Sequence, residues 1–451
     1  MKRNIRVAHF LPHVGGGVGT VLRAMVDESV RQGGFEHIFV TLDYCNERTR
    51  KWANDAGIDF LEKGWIHWEQ VAALLESADV VHVHWWNHPL LQAVLINKKM
   101  PIMRLVIWSH VNGMSAPQSF YERLICYPDC FVVATPYSLE SSYIKNLDES
   151  VKLQSVRYIQ SSAGIPSFAP EDFSKPKGCS FGYVGSVDYS KMHSDIISIW
   201  ERTGITDSPY LVCGGEYHEQ FRKEVVELGL TARFDIRGPV SNVGELFRNM
   251  HVFAYPLNDS LNGTGEQVII EAMSCGAVPV VFNNGCEQFL VKDGFNGICV
   301  DSVDEFVQAL KFLRDNPVKR NELARNAFES IRQRHSISKT VGDWHDCYAE
   351  MMTKSKRVVA EKLDQSPLEV LLTSYGNSRE ADFLRNIIEG KQSEFNPQKF
   401  LSAACLAPTR GSPFHYQHWF PEDVELKEIC LRLRSGQVDY QKNGIEINQE
   451  Q

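Results

Sequence analysis

Residues 5–20 read Ile5-Arg6-Val7-Ala8-His9-Phe10-Leu11-Pro12-His13-Val14-Gly15-Gly16-Gly17-Val18-Gly19-Thr20. A short apolar run gives way to a cluster of glycines and then to an amphipathic stretch from about Val21. That succession is the signature of a buried parallel strand, a tight turn and a helix. Consecutive glycines let the backbone approach a ligand closely, and the helix start offers unpaired N–H groups and a positive dipole end to a phosphate. A tight strand-to-helix turn with no ligand accounts for the same residues, so the stretch decides the fold class rather than the function.

The pattern repeats outward from this point. Ile5 to Leu11, His37 to Leu42, Val80 to His84, Leu105 to Trp108 and Phe131 to Ala134 read as buried strands separated by helices. A Pro-rich stretch, Ala163 to Lys177, interrupts them. The rhythm then restarts with Ser180 to Val184, Tyr210 to Cys213, Arg233 to Ile236, Val252 to Tyr255, Val278 to Phe282 and Gly297 to Val300. The expected class is α/β: two Rossmann-like, doubly wound parallel-sheet domains facing a cleft, the place where open α/β sheets bind ligands. The expected boundaries are 1–166 for the N-terminal domain, 167–178 for a linker and 179–338 for the C-terminal domain. A helix over 339–355 is expected to pack back on the N-terminal domain. Residues 356–451 form an α-helical extension, with helices expected at Pro367 to Ser374, Arg379 to Glu389 and Glu422 to Arg434.

Composition narrows the function classes. The chain has 451 residues, too many for one ordinary core, with 43% hydrophobic and 23% charged residues. A net charge of -9 without a Lys/Arg stripe argues against nucleic acid as a partner. The 11 cysteines are scattered, mostly inside apolar runs, which fits buried reduced thiols and a cytoplasmic setting. Cys126 and Cys130 are four apart and could share a helix face, but no second Cys/His pair has zinc-site spacing. No stretch approaches the roughly 20 apolar residues of a membrane span, so any membrane contact is expected to be peripheral.

Two further constellations carry chemistry. Gly182-Tyr183-Val184-Gly185-Ser186-Val187-Asp188-Tyr189-Ser190-Lys191 is a strand ending in a glycine, with a lysine six residues later that could reach a leaving diphosphate. A solvated surface lysine is the plain alternative. The stronger one is Asn262-Gly263-Thr264-Gly265-Glu266-Gln267-Val268-Ile269-Ile270-Glu271-Ala272-Met273-Ser274-Cys275-Gly276, followed by the strand Ala277 to Val281. A glycine loop opens a helix whose apolar interior contains Glu271. A carboxylate there needs a partner, which two ligand hydroxyls or a salt bridge across the helix–sheet packing would supply.

With these in hand, residues 4 to 353 resemble a GT-B retaining glycosyltransferase of family 4, the glycosyl transferases group 1. Eight landmarks occur in that family's order: Gly15 to Gly17, Asp79 to His84, Ser109-His110, Ser161 to Pro166, Gly182 to Lys191, Leu211 to Glu216, Asp235 to Gly238, and Glu271 to Gly276 with its following strand. The resemblance implies that Glu271 binds the donor ribose and that Gly238 to Val240 lie beside the base. It implies that Lys191, with Gly185 in its loop, neutralises the diphosphate. Backbone groups around Thr264, Gly265 and Gln267 would hold phosphate and sugar hydroxyls, Gly16 and Gly17 would close on the phosphates, and His110 would approach the donor sugar. Breaking the sugar–phosphate bond leaves negative charge on the diphosphate, so preorganised donors there are the largest expected catalytic contribution.

The sequence departs from the family at two places. Gly263 stands eight positions before Glu271, where the family has glutamate, and the nearest acid on that loop is Glu266, placed either to complement the helix dipole in its first turn or to reach the donor sugar in place of the absent acid. Ser186 stands where a basic residue is usual. No Asp-x-Asp occurs, so no metal is expected, and no cofactor beyond the nucleotide-diphosphate sugar acting as co-substrate. The expected activity is metal-independent transfer of a hexose from a UDP- or GDP-type donor to a glycan or lipid-linked glycan. A catalytically silent GT-B subunit and a sugar-nucleotide epimerase are the alternatives. Oligomeric state is not fixed by the sequence.

Overall fold

The computed structural model describes residues 3–189, 191–215, 217–258, 263, 267–359, 362–391 and 397–441. The chain divides into two compact units. Unit 1 comprises Met1–Ile159 and Asp343–Gln451, and unit 2 comprises Gln160–Gly342.

Unit 1 is built on seven parallel strands: β1 (Ile5–Leu11), β2 (Phe35–Thr41), β3 (Asp59–Leu61), β4 (Val80–Trp85), β5 (Leu105–Ser109), β6 (Cys130–Val133) and β7 (Val156–Tyr158). Their order is β3-β2-β1-β4-β5-β6-β7, so the winding reverses between β1 and β4. Loops at the carboxyl ends of those two strands part at the reversal and leave room for a ligand. Unit 2 has six parallel strands: β8 (Phe181–Val184), β9 (Tyr210–Cys213), β10 (Phe234–Arg237), β11 (Val252–Tyr255), β12 (Val278–Phe282) and β13 (Ile298–Val300). Their order is β10-β9-β8-β11-β12-β13, with the reversal between β8 and β11.

Every strand read from the apolar runs forms, with ends shifted by no more than two residues. The two that escaped, β3 and β7, are three-residue edge strands. Such segments are too short for a period to show, and an edge strand needs no continuous apolar run. Cys126 and Cys130 do not share a helix face: Cys126 ends the helix Glu122–Cys126, whereas Cys130 begins β6. The intervening Pro128-Asp129 turns the chain, and Asp129 accepts the Leu105 N–H at 2.8 Å.

The C-terminal helices belong to unit 1. Ser366 and Glu369 form a reciprocal capping box that starts the helix Pro367–Ser374, with proline in its first turn. Helices Arg379–Ile388, Pro413–Trp419 and Val424–Gln441 follow. Leu371, Tyr375, Leu384, Tyr416, Leu426 and Leu433 make a second core that reaches Ile96. The helix Pro89–Asn97 is buried on all sides from Pro89 to Ile96, as it must be when cores lie on both of its faces.

At the seam, Asn87 is fully buried and makes four hydrogen bonds. Its side chain donates to the Pro117 carbonyl (2.6 Å) and Ser374 Oγ (3.0 Å) and accepts from Tyr416 OH (2.8 Å), while its N–H donates to Gln118 Oε1 (2.7 Å). Asn87→Ala strands the Pro117 carbonyl in a dry interior and leaves the Tyr416 hydroxyl only Ser374 Oγ, at 3.2 Å. It is expected to cost about 2 kcal/mol in urea unfolding, and a loss under 0.5 kcal/mol would mean that the seam is hydrated.

Candidate functional site

In unit 1 the chain turns after β1 into the helix Gly16–Gln32, whose cap residue Gly15 supplies no side-chain cap. Gly16 has φ +56°, a left-handed conformation that costs glycine little, and a Cβ on Gly16 or Gly17 would meet nothing within 4 Å. Space is thus open beside a first turn whose N–H groups have no intrahelical acceptor, the arrangement that suits an anionic oxygen.

His110 follows β5. Its N–H donates to the Trp85 carbonyl at 2.8 Å, and its Nε2 lies 2.9 Å from His84 Nδ1. Burial pulls its pKa down to about 3, so the ring is neutral at ordinary pH and works as a hydrogen-bonding group or base rather than a cation. Nearby, His13 stacks on Tyr44 with centroids 5.1 Å apart. Its pKa is lowered to about 4, by burial first and then by Arg410 and His415. The sequence reading singled out neither Tyr44 nor Arg410, since nothing in residues so far apart indicates that they converge.

In unit 2 the loops after β8 and β9 pack backbone against backbone. Gly185 N–H donates to the Cys213 carbonyl at 3.0 Å. A Cβ on Gly214 (φ +107°) would sit 2.6 Å from the Gly185 carbonyl oxygen, and one on Gly215 (φ +72°) would sit 2.3 Å from Val187 N. Gly214 and Gly215 were legible only as part of a strand end, yet no side chain fits at either position. Lys191 is held by its backbone, donating to the Asp188 carbonyl and accepting from the Asn258 N–H at 2.9 Å, and its Nζ lies 5.7 Å from the centroid of the Tyr255 ring.

Gly238 follows β10. A Cβ there would strike His218 Nε2 at 2.7 Å, and His218 in turn binds the Gly215 carbonyl through Nδ1 at 2.9 Å. Val240 is 37% exposed and lines a groove of about 550 Å³ with Arg237, Glu245, Ser180 and Met250. Arg237 is paired with Asp235 at 2.6 Å, so its charge is already met.

The helix Gln267–Ser274 carries Gln267 at its start and Glu271 in its middle. The Gln267 side chain accepts from the Ala163 N–H (3.1 Å) and donates to the Gly164 carbonyl (3.3 Å), tying the entry segment of unit 2 to the helix. The Glu271 carboxylate has no hydrogen bond or ion pair among the described residues, and burial pushes its pKa up to about 7. Among the described residues no salt bridge across the helix–sheet packing accounts for it. Thr264, Gly265 and Glu266 lie outside the described residues, whereas Gly263 accepts a hydrogen bond from Cys286 Sγ at 2.8 Å.

Residues 170–330, most of unit 2, match the family model described as Glycosyl transferases group 1. No curated protein matches the chain. Among solved structures, Anabaena Alr3699/HepE in complex with UDP is 14% identical with TM-score 0.60, the match covering 77% of this chain and 100% of that one. A glycosyltransferase from Rickettsia africae is 12% identical with TM-score 0.61, covering 78% of this chain and 100% of that one. WaaG, a glycosyltransferase involved in lipopolysaccharide biosynthesis, is 14% identical with TM-score 0.52, covering 76% and 99%. No described helix is long and apolar enough to cross a membrane. The fold is that of the GT-B glycosyltransferases, and the family match falls on the unit that holds Lys191 and Glu271.

Proposed function

We propose that the chain is a retaining, metal-independent family 4 glycosyltransferase that moves a hexose from a UDP- or GDP-type donor to a hydroxyl of a glycan or lipid-linked glycan. Surface polysaccharide or glycolipid synthesis in the cytoplasm, with peripheral membrane contact, is the setting proposed for it. The observation that carries this reading is Glu271, a half-buried carboxylate with no partner among the described residues, on a helix inside the segment that matches the group 1 family. Ribose hydroxyls would give that carboxylate the hydrogen bonds it lacks. Lys191 is the cation for the diphosphate, and the close-packed glycines Gly185, Gly214 and Gly238 hold the loops of unit 2 in place beneath it. Gly16 and Gly17 offer N–H groups to phosphate oxygens, Thr264, Gly265, Gln267 and Val240 complete the donor contacts, and His110 and Glu266 act at the sugar.

Thermal unfolding with UDP, GDP and their glucose conjugates tests the reading. A nucleotide at a hundred times its Kd adds about 2.7 kcal/mol and raises Tm visibly. No shift with any of them would sink the proposal. A shift without donor hydrolysis or transfer would favour the silent-subunit alternative, motivated by Gly263 and Ser186.

A further inference from the structure

Unit 1 contains a run of histidines that ends at His110 and whose other members the donor chemistry above does not use. Registers explain how they meet. His37 on β2 pairs with Val7 of β1, and His9 lies two residues further along β1; His9 pairs with His82 of β4, and His84 lies two further; His84 pairs with Trp108 of β5, and His110 lies two further. Because side chains alternate along a strand, two-residue steps keep all four rings on one face, and they rise one strand at a time toward the carboxyl ends.

The ring nitrogens then connect. His345 Nε2 is 2.7 Å from Ser29 Oγ, Ser29 Oγ is 2.8 Å from His37 Nε2, and His37 Nδ1 is 2.9 Å from His9 Nε2. His9 Nδ1 is 2.9 Å from His84 Nε2, and His84 Nδ1 is 2.9 Å from His110 Nε2. His9 and His84 are fully buried and His37 is 5% exposed, while the two end rings are partly exposed. Burial pulls the three inner rings well below the usual histidine range, and other histidines, not acids, are the neighbours that add to it. Asp346 and Glu28 act on His345 alone, at the outer end, and Phe35 stacks on it. The face is closed by Trp344 and Tyr348, the latter bonded to His82 Nδ1 at 2.7 Å.

We propose that His345, Ser29, His37, His9, His84 and His110 form a proton relay between the partly exposed His345 and His110. Each neutral imidazole has one N–H and one lone pair, and a hydroxyl has both, so the chain can be oriented in either direction with every link satisfied. A proton taken up at His110 Nδ1 pushes the Nε2 proton to His84, and the transfer continues until a proton leaves from His345 to water. No ion need rest in the interior, and every ring changes tautomer.

The role rests on the transfer reaction proposed above. The acceptor O–H bond breaks, and the oxygen electron pair forms the bond to the anomeric carbon on the face from which the diphosphate departs, so that configuration is retained. The anomeric carbon–phosphate oxygen bond breaks with its pair going to the diphosphate, and the acceptor proton goes to the lone pair of His110 Nδ1. Nothing is oxidised or reduced.

His9, His82 and His84 also offer three nitrogens within 4.8 Å of one another. A cation there would need lone pairs from rings whose nitrogens already bond each other, His37, His110 and Tyr348. Of the nitrogens of these three rings, His82 Nε2 alone has no partner among the described residues. The relay uses the hydrogen bonds as they stand, whereas a metal would break them.

Ring-proton exchange tests the relay without turnover. In nitrogen-edited NMR the ring proton of His9 is expected to exchange with solvent at least tenfold more slowly in His37→Leu, and in His345→Gln should that core variant fail to fold. Imidazole added to His345→Gln is expected to restore the rate. In turnover, both variants are expected to lower kcat about tenfold with KM for the donor unchanged, and to reduce the multi-proton solvent isotope effect. Unchanged exchange in both variants overturns the relay, and so does stoichiometric zinc held by the wild type and lost in His82→Gln. Absence of binding by both UDP and GDP, with the exchange result intact, would instead overturn the transferase reading and leave the relay standing.

Discussion

Lys191→Ala is expected to lower kcat/KM about a hundredfold, equivalent to about 2.7 kcal/mol, while leaving the fold in place. Lys191 Nζ lies 5.7 Å from the centroid of the Tyr255 ring, a contact worth about 0.5–1 kcal/mol at a partly exposed position. If packing on Tyr255 were its whole task, the mutant would lose that much stability and keep its rate. A cation aimed at the leaving diphosphate acts mainly in the transition state, where charge on the phosphate oxygens is greatest, so the loss should fall on turnover. Steady-state kinetics and a melt of the same preparation separate the two. A normal rate in a folded mutant removes Lys191 from the site.

Glu271→Gln is expected to stabilise the free protein and weaken its grip on nucleotide. The carboxyl is ordinary in the unfolded chain, near 4.5, and pushed up to about 7 when folded. The folded state thus holds the proton more tightly. Wild-type stability falls as pH rises from 4.5 through 7, with the full loss present above 7. Glutamine cannot ionise, so mutant and wild type should be equally stable near pH 4. At pH 8 the mutant should lead by about 2–3 kcal/mol. Affinity for UDP should move the other way, by tenfold or more, because an amide replaces a charge-assisted acceptor of ribose hydroxyls. Urea melts at pH 4 and pH 8 with calorimetry at pH 8 give both numbers. Equal UDP affinity would make Glu271 a structural residue.

Most of the fold could be read from residue order because parallel strands buried on both faces are written as apolar runs. Val80 to His84 and Val278 to Phe282 are buried at every position. Asp59–Leu61 and Val156–Tyr158 were not legible, since an edge strand is specified by its neighbour's free backbone groups more than by its own side chains. At the candidate site the glycines were legible where they cluster, at Gly15 to Gly17. They were not at Gly214 and Gly215, where the reason for glycine is the backbone of Val187 and Gly185 thirty residues away. The histidines were visible singly, in Asp79 to His84 and at His110. Their joining into one chain depends on strand register, which no local pattern encodes. Three helices of the extension were legible, Pro413–Trp419 was not, and the attachment depends on Asn87 meeting Ser374 and Tyr416, contacts spanning 287 and 329 residues.

That attachment has a consequence for biosynthesis. The chain leaves unit 1 after Ile159 and returns to it at Asp343, so unit 2 is an insertion within unit 1. On a ribosome unit 2 is complete in sequence while unit 1 still lacks its second core, which closes only when Leu433 has emerged. At about 5–20 residues per second, residues 343–433 take on the order of ten seconds to appear. Until the helices Pro367–Ser374 and Pro413–Trp419 have emerged, the helix Pro89–Asn97 shows an uncovered apolar face and Asn87 lacks its distant partners. The nascent chain is therefore expected to lean on holding chaperones until its last helix arrives, and slowing translation after residue 343 should lower the yield of folded protein rather than raise it.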